Sequence, residues 1–112
     1  MTDLAARSCQ ACEGGTPALS ENAVAGLLNQ VPQWELAEGK LTREITRKNF
    51  QNALDMINAI GRVAEQEGHH PDLTLHSWNK LKIELSTHAV GGLSDNDFIL
   101  AAKIDELLEA RP

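Results

Sequence analysis

His69, His70 and His88, three of the four histidines of this chain, stand where their rings could exchange protons. His69-His70-Pro71 follows a long helical pattern, and Thr87-His88 closes a strand pattern. The segment between them reads as a β-hairpin. A hairpin returns the chain near its starting level, so residues before its first strand and after its second can meet in space. Imidazole titrates near pH 6.5, so such a cluster can give and take protons at neutral pH. Pro71 fixes its own φ and pushes His70 toward extended backbone, which would hold the paired rings in set directions. Two other readings stand beside this one. Adjacent loop histidines are often only solvated polar side chains. Histidine is also a common metal ligand, although no Asp or Glu stands at a familiar metal spacing from His69 or His70. His76 falls mid-strand, a position for a packed or subunit-facing ring.

Two carboxylates are candidate supports. Asp97 lies three residues before Leu100, on the inward stripe of the last helix. It reads equally as a capping carboxylate beside Ser94 and as a group that orients a histidine. Glu65 lies one helical turn before His69 and reads as an orienting carboxylate or as part of a wet helix face. The remaining chemical motifs are few. There is no Gly-rich phosphate loop, no G-x-S-x-G and no H-E-x-x-H. Cys9 and Cys12 form a C-x-x-C pair ahead of the turn-rich Glu13-Gly14-Gly15-Thr16-Pro17. Two cysteines are too few for a disulfide framework, and a thioredoxin-type pair should open a helix after a strand. A mobile, reduced tail is the expectation, with an inter-subunit metal site or incidental redox chemistry as alternatives.

The elements that must position these residues follow from periodicity. Residues 1–18 read as a tail and 19–112 as one domain. Ser20 caps a short helix with Val24, Leu27 and Leu28 as its apolar stripe, and Pro32 stops it. Trp34–Ala37 and Leu41–Thr46 read as strands joined around Glu38-Gly39. Phe50, Ala53, Leu54, Ile57, Ile60, Gly61 and Ala64 mark one face of a long helix, with Gly68 as its stop. Leu73–Leu85 reads as a hairpin turning at Asn79-Lys80. That two-residue turn would put Trp78 opposite Leu81 on the core side and leave Leu73 and Leu75 outside, a hint of a covering second subunit. After Gly91-Gly92, Ser94 caps a last helix with Leu100, Ala101, Ile104, Leu107 and Leu108 buried. The order α-β-β-α-β-β-α predicts an α+β fold, a four-stranded antiparallel sheet with three helices packed on one face.

Composition narrows the function. The 112 residues carry 10 basic and 16 acidic side chains, a net charge of −6. A domain of this length buries about 65% of its unfolded surface and needs no staple. The acidic balance and the absence of a Lys/Arg cluster argue against nucleic acid, whose binding rests on phosphate neutralisation. With no tyrosine and 4% aromatic residues, a base-stacking platform is not expected either. No apolar run approaches the ~20 residues of a membrane span, and the N-terminus lacks a secretion-signal pattern, so a cytoplasmic protein is expected. A small molecule or another protein is the expected partner.

Glu67-Gly68-His69-His70-Pro71-Asp72, Trp78-Asn79-Lys80, Leu85-Ser86-Thr87-His88, Gly91-Gly92-Leu93-Ser94 and Asp97-Phe98 together resemble the pterin-4a-carbinolamine dehydratases. The resemblance runs from about Leu19 to Leu108, and the tail Cys9-Gln10-Ala11-Cys12-Glu13 resembles bacterial members. It implies a hydro-lyase that converts 4a-hydroxytetrahydrobiopterin to quinonoid dihydropterin and water, in tetrahydropterin recycling linked to an aromatic amino acid hydroxylase. It also implies the fold read above, a homodimer or homotetramer, no cofactor and no metal. By the same resemblance His69 and His88 act as general acid and base, and His70 mainly holds the pterin. Pro71, Thr87, Ala89 and Val90 line the ring pocket with the histidines, and Glu65 and Asp97 support them. The alternatives are a non-catalytic protein-binding cofactor, for transcriptional dimerisation or enzyme assembly, and a His-ligated metalloprotein.

Overall fold

The computed structural model describes residues 3–10 and 17–111. Helix α1 spans Glu21–Leu28, strands β1 and β2 span Glu35–Ala37 and Lys40–Thr46, and helix α2 spans Phe50–Glu67. Strands β3 (Asp72–His76) and β4 (Lys80–Leu85) follow, then helix α3 (Asp95–Ala110). Two 3₁₀ turns, Asp3–Ala6 and His88–Val90, complete the described elements. The expected α-β-β-α-β-β-α order and α+β architecture are present. The sheet is antiparallel throughout, in the order β1-β2-β4-β3.

Local chemistry explains the boundaries. Ser20 accepts a hydrogen bond from the Ala23 amide and caps α1. Asn49 does the same for α2 through the Asn52 amide. Glu38 and Gly39, both with positive φ, form the tight turn between β1 and β2. Gly68, at φ 68°, ends α2 in the left-handed conformation that lacks a penalty only without a Cβ. His69 begins immediately beyond that stop.

The hairpin of β3 and β4 departs from the expected register. His76 pairs with Lys80, so the loop holds three residues, Ser77-Trp78-Asn79, rather than two. Ser77 and Trp78 both adopt positive φ, and Asn79 is held by bonds to the Arg47 backbone in both directions. That docking fixes the loop length. A one-residue slip exchanges the faces of a whole strand. Leu73 and Leu75 therefore pair with Ile83 and Leu81 on the helix-covered face, and Trp78 stands 62% exposed at the loop tip. The open face carries Thr74, Lys82, Glu84, Glu44 and His76 instead of leucines. The hint of a second subunit drawn from Leu73 and Leu75 disappears with the register.

The core lies between the sheet and the helices. Leu41, Leu81, Ile83 and Leu85 of the sheet are buried against Met56, Ile60, Phe98, Leu100 and Ile104. Helix α2 turns slightly from its expected face, burying Met56 and Ala59 and leaving Phe50 half exposed. Helix α3 is buried nearly all round its first half, from Asn96 to Ala102. The reason lies in the expected tail. Residues 3–10 pack on α3, Leu4 is 2% exposed within the core, and Lys103 donates to the Ala5 carbonyl. The reading of this segment as mobile is overturned where it is described, because an apolar helix face is covered there. Cys12 lies outside the described residues. Among the described residues no helix is long and apolar enough to cross a membrane.

Candidate active site

Three chain segments meet where α2 ends, β4 ends and α3 begins. Gly68 stops α2 and turns His69-His70 toward the end of β4. The strand β4 delivers Thr87, whose backbone bridges to Gly92 and encloses the 3₁₀ turn His88–Val90. Gly91, at φ 68°, closes that turn. His69, His70 and His88 thereby line one cleft of about 300 Å³, with Thr87, Ala89 and Ser86. That volume stands at the lower end of ligand clefts.

Asp97 is the buried centre of the site. Its carboxylate is fully buried, and its Oδ1 accepts a hydrogen bond from His69 Nε2 at 2.6 Å. Its Oδ2 accepts from the Ser94 amide at 3.0 Å and from Thr87 Oγ1 at 2.8 Å. The Thr87 proton is thus committed, so Ser94 Oγ, 2.8 Å away, donates to Thr87 Oγ1. Three donors compensate one buried carboxylate, as a charge in that position requires. The two sequence readings of Asp97 hold together: one oxygen caps α3 and the other meets the histidine. Because Asp97 takes the Nε2 proton, neutral His69 keeps Nδ1 as its unprotonated nitrogen.

The other candidates fall into two groups. Glu65 meets His70 rather than His69: His70 Nε2 lies 2.5 Å from Glu65 Oε2, with both side chains more than half exposed. Such a surface pair contributes little energy. Pro71 and Val90 are half-buried and do not line the cleft, whereas Thr87 and Ala89 do. His76 bonds to Glu44 across the open face of the sheet, away from the cleft. Among the described residues no group of three His, Cys, Asp or Glu side chains is placed to hold a metal ion.

Residues beyond the sequence candidates also line the cleft: Gly68, Ser86, Asn96 and Gln10. Asn96 adjoins Asp97 but carries no periodic signal. Gln10 lies in the segment read as a tail, where no periodic pattern marks it. Cys9, beside it, is half-buried; burial first, and then the Glu67 carboxylate, push its thiol from 9.0 up to about 11. Along the C-terminal half of α3 lies a larger hollow of about 690 Å³. Its half-buried polar groups answer one another: Asp105 accepts from Trp34 Nε1 and pairs with Arg43. Burial raises the Asp105 carboxyl above its ordinary 3.8, against the opposing pull of Trp34 and Arg43.

Comparison with known proteins gives a consistent result. The family model described as pterin 4 alpha carbinolamine dehydratase matches residues 17–107. A pterin-4-alpha-carbinolamine dehydratase homologue from Nitrosomonas eutropha is 46% identical over 107 residues, 95% of this chain and 94% of its own length. Pterin-4-alpha-carbinolamine dehydratase 2, mitochondrial, from Arabidopsis thaliana is 45% identical over 96% of this chain and 60% of its own. Among solved structures, a transcriptional coactivator/pterin dehydratase from Brucella melitensis shares the fold, with a TM-score of 0.74 at 24% identity. The match covers 80% of this chain and 97% of that one.

Proposed function

The chain belongs to the pterin 4 alpha carbinolamine dehydratase family, and we propose that it performs the reaction the family is named for. The substrate is a 4a-hydroxytetrahydropterin, and the products are quinonoid dihydropterin and water. The C4a–O bond breaks, the N5 electron pair forms the C4a=N5 bond, the N5 proton leaves to a base, and the departing hydroxyl takes a proton from an acid. Proton transfers of this kind gain roughly 10²–10⁴-fold from placed groups with pKa values near neutrality.

The observation that carries this reading is the convergence of His69, His70 and His88 on one cleft, with buried Asp97 bonded to His69. His69, its tautomer set by Asp97, is the base through Nδ1. His88, which lines the same cleft, is the acid. His70, paired only with exposed Glu65, holds the pterin ring. Thr87 acts through Asp97 rather than on the substrate. The natural setting is recycling of a pterin cofactor spent by an aromatic amino acid hydroxylase. The working form is a homo-oligomer, a reading supported by the half-exposed Phe50 and exposed Trp78.

The test is stopped-flow absorbance of 4a-hydroxytetrahydropterin decay. Wild-type protein is expected to speed the decay in proportion to its concentration. No acceleration at micromolar protein would end the dehydratase reading.

A further inference from the structure

The N-terminal segment is fastened to the two helix ends that carry the site. Its first part is anchored: Leu4 sits in the core and the exposed Arg7 pairs with Asp95 at 3.1 Å. Its last part is bonded residue by residue. The Cys9 amide donates to Glu67 Oε1 at 2.9 Å, two residues before His69. The Cys9 thiol donates to the Asn96 carbonyl. Asn96, 6% exposed and adjacent to Asp97, uses its side-chain amide as a strand would use its backbone. Asn96 Oδ1 accepts from the Gln10 amide at 2.9 Å, and Asn96 Nδ2 donates to the Gln10 carbonyl at 2.5 Å. A buried carboxamide matched at both ends is costly to displace, so Gln10 is pinned where it lines the cleft with the three histidines.

A carboxamide neither gains nor loses a proton near neutral pH. In a cleft of imidazoles its chemistry is recognition, with one acceptor and two donors side by side. The matching ligand edge carries an acceptor beside a donor, as in the amide-like edge of a fused pyrimidinone ring. We propose that Gln10 is a substrate-contacting, specificity-determining residue and that Asn96 is its positioning residue. The N-terminal segment is then a wall of the site. The identity of the ligand rests on the dehydratase reading above.

Two measurements on the full chain separate the two readings. Decay of 4a-hydroxytetrahydropterin with wild-type protein tests the dehydratase reading. Titration calorimetry with 7,8-dihydropterin on wild type, Gln10→Ala, Asn96→Ala and the double variant tests the inference, with thermal denaturation to show that each variant is folded. Gln10→Ala is expected to weaken binding and raise KM by about tenfold, as loss of one hydrogen bond does, with kcat within twofold. Asn96→Ala should weaken binding comparably, and the double variant should be no worse than Gln10→Ala, because one residue acts through the other. An active wild type whose Gln10→Ala variant binds dihydropterin unchanged overturns the inference alone. Additive losses in the double variant overturn the positioning role of Asn96. An inactive wild type overturns the dehydratase reading and this assignment of ligand with it.

Discussion

His69 Nε2 stands 2.6 Å from Asp97 Oδ1, with the carboxylate fully buried and the imidazole, 11% exposed, lining the cleft. The partners flank the β3–β4 hairpin in sequence, His69 just before β3 and Asp97 in the first turn of α3, 28 residues apart. The pairing commits one ring nitrogen and leaves the other for the proton transfer proposed above. It also ties the histidine to the cap of α3, through the Ser94 amide on the second carboxylate oxygen.

Asp97→Asn is expected to lower kcat by about 10²-fold, since an amide can meet the histidine with its own N–H and reverse the tautomer. The variant keeps an oxygen for the Ser94 amide, so its melting temperature should fall little. Asp97→Ala removes all three bonds and should also cost about 1–2 kcal/mol of stability through the lost cap. Stopped-flow turnover with thermal denaturation checks both. Wild-type kcat in Asp97→Asn would refute the tautomer argument.

His69→Ala and His88→Ala should each lower kcat, while the fold changes by less than about 0.5 kcal/mol for exposed His88. His70→Ala should raise KM more than it lowers kcat. A full set of Michaelis constants for the three variants decides. If His69 and His88 variants both turn over normally, the acid–base assignment is wrong.

Gly68→Ala is expected to destabilise the protein by about 1–2 kcal/mol, the penalty of a Cβ at left-handed backbone angles. No atom stands within 4 Å of the added carbon, so the penalty is conformational and not a clash. Gly68→Asn should cost less, because asparagine tolerates that region. Urea denaturation of both variants measures the difference. Equal losses would point to a packing effect instead.

The raised thiol of Cys9 gives a pH signature. In a Cys12→Ser background, alkylation of Cys9 by iodoacetamide should rise with a midpoint near pH 11 rather than 9.0. The folded value lies above the unfolded one, so the neutral thiol's stabilising contribution is full below pH 9.0 and is lost as pH rises toward 11. Cys9→Ala should flatten the stability profile across that window. Rapid alkylation already at pH 8 would show that the thiol is not shielded.

Much of this protein is determined by local sequence. The stripes of α1 and α3, the caps at Ser20 and Ser94, the Glu38-Gly39 turn and the Gly68 stop each rest on neighbours within a few residues, where periodicity and φ preference operate. The element order, and with it the meeting of His69-His70 with His88, follows from them. Tertiary structure decided what depends on distant partners. The Asn79 loop takes its length from the Arg47 backbone, which sets the face of Leu73 and Leu75. Glu65 meets His70 rather than His69 because the His69 ring is taken by Asp97, which α3 brings to it from 28 residues away. Gln10 lines the cleft where Asn96, 86 residues away in sequence, bonds to its backbone. A bond between remote residues depends on how two elements are packed, and no local spacing carries that information.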